Sequence, residues 1–357
     1  MRKLRFLILG LVVLTGKLNA GTNNFDIFGV DAKTQNKIHL SCSKLMDKYL
    51  KLSMSMNTSL PSEKALIHRE KIEQQIIAKI KQIEDVDIAK ISVIYYPTDK
   101  RTYATLDLVK RNEAYRIPRG HKTVSKKLVK QSQGLKELFV IWNEYNDKNV
   151  NLIRKNQMDF SKKSCPITHC TWAFDKKELE KTLPKLQNGA AKFKNELIEI
   201  IKNSSDDKER EKAVFILAHD ETHKDEQAGF LINYTDDPSD FVRNNVMRVV
   251  GAMVAKRKVA HLDIKRIIHA LNYPYVTDRN KAAYVLLGIV KNDPLSHQAV
   301  IAQAGGTLLE LLKLQQPNNH DFAYLILKEI SQRNYSERDY KSWEGWIRSQ
   351  QSVLSST

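Results

Sequence analysis

DDPSDFVRNNVMRVVGAM, residues Asp236 to Met253, is the stretch that decides the fold. Asp236-Asp237-Pro238 stops a preceding helix, because proline has no N–H to donate and its ring excludes the residue before it from helical backbone. Ser239 or Asp240 then offers a side-chain oxygen to cap a new helix. Within that helix Arg243 leads an apolar stripe. Val246 and Val250, three and seven positions after it, fall on one face.

The pattern recurs. Arg210 with Ala213 and Leu217, Arg279 with Ala282 and Leu286, and His320 with Ala323 and Leu327 repeat the leader, leader+3 and leader+7 positions. The leaders are spaced by 33, 36 and 41 residues. Each is preceded by an apolar helix and a polar turn: about Leu197–Ile201, Phe230–Tyr234, Ile264–Pro274 and Thr307–Leu314. Two helices per unit at a period of ~30–50 residues mark an α-solenoid, in which each unit buries its apolar face against its neighbours.

The second unit, LINYTDDPSDFVRNNVMRVVGA, resembles the HEAT-repeat family: an apolar helix, a D-x-P turn, then V-R-x-x-A-x-x-x-L-G. The third and fourth units lack the D-x-P turn, and His320 stands where the family has arginine. The likeness covers about Lys192–Arg333. It implies a fold that is mainly α, a C-terminal HEAT-like α-solenoid of about four helix pairs. It also implies that Arg210, Arg243 and Arg279 hydrogen-bond within an inter-repeat ladder, with Asn244 or Asn245 facing the neighbouring repeat. Arrays of this kind generally bind proteins; a few resemble enzymes such as phycobilin lyases and alkyl-base DNA glycosylases.

The first twenty residues read as a targeting segment. Arg2, Lys3 and Arg5 precede the apolar run Phe6–Leu14, and Leu18-Asn19-Ala20 suits cleavage before Gly21. The run is shorter than the ~20 residues a spanning helix needs, so no transmembrane segment is expected after cleavage. The expected location is periplasmic or extracellular. In an oxidising compartment CPITHC invites a Cys165–Cys170 disulfide, leaving Cys42 as a buried thiol. A zinc site from Cys165, His169 and Cys170 would lack a fourth ligand.

The N-terminal half has another rhythm. Asp26–Val30 reads as a short strand. Ser41–Met56 and Pro61–Glu84 read as helices, the second with a stripe of Leu66, Ile72, Ile76, Ile77, Ile80 and Ile83. Ile91–Tyr96 and Thr102–Val109 alternate with period two. They predict a hairpin with Ala104, Leu106 and Leu108 inside and Tyr103, Thr105 and Asp107 on a wet face. The order strand, helix, helix, strand, strand is similar to that of polypeptide-transport-associated domains, an analogy of element order alone. Lys122–Asn156 reads as one or two helices. The expected division is a signal peptide at 1–20, a small basic α+β domain at 21–120, a helical connector with the CPITHC loop at 121–190, HEAT-like repeats at 191–335 and a cap at 336–357. Trp343 and Trp346, one helical turn apart, cover the end of the last repeat or form a binding patch.

Charge is unevenly spread. Residues 21–190 carry 31 Lys+Arg against 19 Asp+Glu, whereas residues 191–357 carry 23 against 22. The basic half would attract an anionic envelope surface or polymer. An exported chain is not expected to meet nucleic acid. Catalytic signatures are missing: no GxSxG, Walker motif or CxxC occurs. HDETH, His219–His223, has its glutamate at the third position rather than the second, so it does not match HExxH, and it falls where the array should turn. AGG, Ala304–Gly306, reads as a helix break. The expectation is an interaction scaffold with no cofactor, no metal and no catalysis. The alternatives are a binder of anionic surfaces and an enzyme using the groove between the two halves with His219, Glu221 and His223.

Overall fold

The computed structural model describes residues 25–56, 62–96, 100–118, 129–155, 157, 165–172 and 177–355. The segment read as a signal, with Ala20 and Gly21, lies outside these residues. The described chain is mainly helical, with one three-stranded sheet.

The sheet belongs to the N-terminal part. Strand β1 (Asp26–Phe28) is followed by helices α1 (Ala32–Met56) and α2 (Glu63–Ile83), then by β2 (Val86–Tyr96) and β3 (Arg101–Lys110). The strand order is β1-β3-β2, with β1 parallel and β2 antiparallel to β3. Ser62 caps α2 by accepting from the N–H of Ala65 at 3.3 Å. Ile72, Ile76 and Ile80 recur every four residues and are fully or nearly buried. They meet Ile38, Cys42 and Met46 of α1 and Leu106 and Leu108 of β3 in one core. Burying each such side chain contributes roughly 1.5–3 kcal/mol. Cys42 is a free, buried thiol in that core.

The opposite face of the sheet departs from expectation. Thr105 and Asp107, expected to be wet, are both 0% exposed. Asp26 and Phe28 of β1 point the same way and are also buried. This face packs on the helical part of the chain, and Phe28 belongs to the core of that part. The alternation of β3 is correct; the solvent assignment of its polar side is not, because a charged partner waits for Asp107 on the helices.

Helix α3 (Gln133–Arg154) is capped by Ser132 and buries Leu135, Leu138, Phe139, Trp142 and Tyr145 along one stripe. It packs on α5 (Thr182–Lys192), which the four-residue helix α4 (Lys177–Glu180) precedes, and on α7 (Asp207–Leu217). The remaining helices come in pairs: α6 (Lys194–Asn203) with α7, α8 (Lys224–Leu231) with α9 (Asp240–Val254), α10 (Ile264–Ala270) with α11 (Val276–Asn292), and α12 (His297–Lys313) with α13 (Pro317–Ser331). The second members pack serially, α7 on α9, α9 on α11 and α11 on α13. Helix α14 (Tyr340–Ser355) lies on α12.

The expected break at Ala304–Gly306 does not occur; α12 runs straight through it. A Cβ on Gly305 would lie 2.9 Å from Cγ2 of Ile347. The missing side chain is what lets α14 approach, and that close packing outweighs the ~1 kcal/mol a mid-helix glycine costs. Trp343 of α14 is 0% exposed, with edge contacts to Tyr324, Tyr335 and Trp346 and an indole N–H donated to the carbonyl of Ser336 at 2.9 Å. Trp346 is half-buried against the same core.

Candidate functional site

The three leader arginines are buried and share one hydrogen-bond pattern. Each donates Nη1 to the carbonyl six residues earlier: Arg210 to Ser204 at 2.9 Å, Arg243 to Asp237 at 2.7 Å and Arg279 to Tyr273 at 2.7 Å. That bond satisfies a carbonyl left over at the turn between the two helices of a pair. Each then donates Nε to an acceptor in the next unit: Arg210 to Asp237 at 3.1 Å, Arg243 to Asp278 at 2.8 Å and Arg279 to Asn319 at 3.0 Å. Arg210 grips Asp237 with two bonds, Nη2 reaching Oδ1 at 2.8 Å. Asn244 donates forward to Asp278 at 3.0 Å, and Asn245 donates back to the carbonyl of Glu211 at 3.2 Å. His320, the fourth leader, departs from the pattern, with Nδ1 2.7 Å from the carbonyl of Leu312, eight residues earlier. Ser239, expected to cap α9 with its side chain, instead reaches Asp207 of α7 at 3.1 Å.

The third rung differs in charge. Asp278 and Asn319 occupy the same place, one residue before the following leader, but Asn319 carries no charge. The missing carboxylate comes from the sheet: Nη2 of Arg279 stands 2.7 Å from Oδ1 of Asp107, both groups being fully buried. Phe28 lies under two guanidinium groups, Arg279 at 4.3 Å and Arg116 at 5.1 Å. Arg116, which follows β3, donates to the carbonyl of Asn272 at 3.0 Å and pairs with Glu113 at 2.8 Å. Gly29 makes room for it: its φ of +98° needs glycine, and a Cβ there would collide with the carbonyl of Leu108 and the Arg116 guanidinium. Oδ2 of Asp26 accepts from the N–H groups of Gln315 and Gln316 at 2.8 and 2.9 Å, and Tyr96 Oη accepts from the N–H of Asn318 at 3.0 Å. The sheet is therefore fastened to the turns before α11 and α13.

Burial pushes Asp26 from its usual 3.8 up to about 6, against the pull of the two N–H groups, and burial likewise raises Asp278 to about 6 despite Arg243. The folded state thus binds more protons than the unfolded chain between about pH 4 and 6. The contribution of each group is fully present below about 4 and lost as the pH rises through about 6. For Asp26 this amounts to roughly 2–3 kcal/mol. Asp26→Asn keeps an oxygen for both N–H groups and removes the titration. Urea unfolding from pH 4.5 to 7.5 should show the variant gaining on the parent chain as pH rises through that window. A difference between the two that does not vary with pH would refute this.

HDETH does not set its two histidines side by side. His219 is buried at 2% exposure, not on an exposed turn as expected; its Nδ1 lies 2.8 Å from the carbonyl of Phe215 and its ring meets Trp142 edge-on. Burial lowers its pKa to about 4. His223 is exposed, with left-handed backbone at the start of α8, so the two histidines share no helix face. Glu221 accepts from the N–H and hydroxyl of Thr168 at 3.0 and 2.7 Å, and so clamps the loop of the Cys165–Cys170 disulfide onto this turn. With both cysteines in the disulfide, neither is a thiolate for zinc. No cluster of three or more metal-ligating groups occurs among the described residues. A cavity of about 460 Å³ lies beside Glu84, Asp85, Lys110, Arg111 and Asn112, where Arg111 pairs with Asp85 at 3.1 Å and Lys110 with Asp31 at 3.8 Å.

What remains is a face. Phe241, Asn245 and Arg248 stand on one side of α9, and Thr277, Lys281 and Tyr284 on one side of α11. Phe241 is 64% exposed. Sequence reasoning fixed on the leaders and passed over this face, although a phenylalanine two residues before a buried leader was the available signal. Comparison of the chain with family models, curated proteins and solved structures returned no match.

Proposed function

We propose that this chain is an exported interaction scaffold, in the periplasm or outside the cell. A HEAT-like solenoid of about four helix pairs holds a protein partner along the outward face of its second helices. The observation that carries the reading is the serial packing of α7, α9, α11 and α13 through buried arginine rungs. Such packing fixes side chains on successive helices in rigid register, as a binding surface requires. The Cys165–Cys170 disulfide agrees with export. Among the described residues no helix is long and apolar enough to cross a membrane.

Photo-crosslinking tests this reading. A benzoyl-phenylalanine placed at Phe241 or Thr277 should yield the same adduct from the exported fraction of the host, competed away by unlabelled chain. The same group at Ile67, an exposed position on α2, should yield none. Uniform adducts from all three positions, or none from Phe241 and Thr277, would sink the proposal.

A further inference from the structure

We propose that Arg248 and Lys281, flanked by Tyr284, seat a carboxylate from an acidic, partly apolar segment of the protein partner. This rests on the scaffold reading and names the chemistry of its occupant. The argument begins with charge. Arg248 on α9 and Lys281 on α11 are both half-buried, on helices that pack directly together. Arg248 has no hydrogen-bond or ion-pair partner among the described residues, in contrast to the leader arginines one and a half turns before it and on the neighbouring helices. Lys281 has one bond, to the side-chain oxygen of its neighbour Asn280 at 3.0 Å, which supplies no charge.

Burial of both cations disfavours their charged forms, and Lys281 falls to about 8, with the Arg248 charge acting in the same direction. The neighbouring helix on the other side, α7, carries Glu211, whose half-buried carboxyl is held above its ordinary range chiefly by burial. Two like charges on facing, packed helices, partly desolvated without a counter-ion, are costly in a folded protein. A site built to receive an anion carries such a cost, and binding relieves it.

The surroundings specify the anion. The Tyr284 ring lies directly over Gly251, where any side chain would collide with it, and contacts Phe322 of α13 at 5.9 Å. It thus forms an aromatic wall beside the cations. Two turns before Arg248 on the same face of α9 stands exposed Phe241. A carboxylate fits the paired cations, since arginine can grip it with two parallel bonds. An apolar side chain one or two turns along the partner fits Phe241. Neither feature suits a uniform polyanion, and a flat lipid headgroup layer would not use a ring recessed on a glycine.

The test uses the full chain and a fluorescein-labelled peptide, three repeats of Glu-Ala-Leu-Glu, with its all-glutamine counterpart as control. Fluorescence anisotropy should show binding of the glutamate peptide, and Arg248→Gln or Lys281→Met should each weaken it at least tenfold. A Lys33→Gln/Lys37→Gln variant, which removes exposed charge from distant α1, should change it less than twofold. Bound peptide should also protect Lys281 from acetylation by an N-hydroxysuccinimide ester. The thermal midpoint of Arg248→Gln should stay level or rise, because an uncompensated cation is removed; a fall would mean that the residue serves the fold. Equal weakening by all variants would reduce the effect to net charge, and loss of peptide binding to the parent chain itself would overturn the proposal. Binding of phosphatidylserine vesicles, but not peptide, in a manner dependent on Arg248 would overturn the choice of a protein segment. If the crosslinks from Phe241 and Thr277 persist in Arg248→Gln, the scaffold reading stands and this one fails.

Discussion

Replacing Arg279 with methionine is expected to cost roughly 3–5 kcal/mol of stability, because it leaves a buried charge without its partner. The guanidinium satisfies three elements at once. It donates to the carbonyl of Tyr273 and to Asn319, and it stands 2.7 Å from the carboxylate of Asp107, all at full burial. Methionine keeps most of the volume and the contact with Phe28 but strands the carboxylate and the carbonyl. Lysine should not rescue the loss, since one ammonium cannot reach three acceptors set at these angles. The decisive comparison is Asp107→Leu/Arg279→Met. With both charges removed the double variant should recover most of the loss, as replacement of buried ion pairs by apolar groups often does. Urea unfolding of the two single variants and the double variant gives the coupling directly. Additive losses would mean that the two side chains are neighbours without being partners.

Trp343→Ala is the second large expectation, at about 3–5 kcal/mol. The indole is fully buried and meets Tyr324, Tyr335 and Trp346 at centroid distances of 6.1, 5.1 and 6.2 Å. Its loss opens a cavity between α14 and the end of the helical part and frees the Ser336 carbonyl. Hydrogen exchange should then show α14 losing protection first, with α7 and α9 little changed. Trp346→Ala, half-buried from the start, should cost less than half as much. If amides throughout the helices exchange together in Trp343→Ala, α14 is part of the common core rather than a cover on it.

The mainly helical character was legible because helical period is a local property. Leader, leader+3 and leader+7 positions mark a stripe whatever lies opposite it, and the positions of α7, α9, α11 and α13 followed from them. The disulfide was legible for a similar reason, two cysteines five residues apart in a sequence that reads as exported. Pairings between distant segments were not. Nothing near Asp107 distinguishes a polar strand residue facing water from one facing a buried arginine, so β3 received a wet side it does not have. Asn319 held the only hint: an uncharged residue where the preceding rung has Asp278 leaves Arg279 short of a counter-charge. Gly305 misled because glycine is read as a breaker from its backbone freedom, whereas here its value is the absence of a side chain under Ile347. His219 misled because motif spacing describes a sequence of residue types and carries no information on which imidazole the core encloses.

The aspartate that the sheet lends to Arg279 also makes this rung depend on a distant part of the chain. Each earlier rung is closed by the unit after it, so in principle any number of units could follow one another. The last leader arginine bonds the unit after it through neutral Asn319 and takes its counter-charge from a strand far upstream. Duplicating the unit of α10 and α11 would give the first copy of this arginine the duplicated Asp278 as its acid, as Arg243 has now, and leave the second copy on Asp107. The series could therefore lengthen ahead of this rung, while the rung itself stays tied to the sheet.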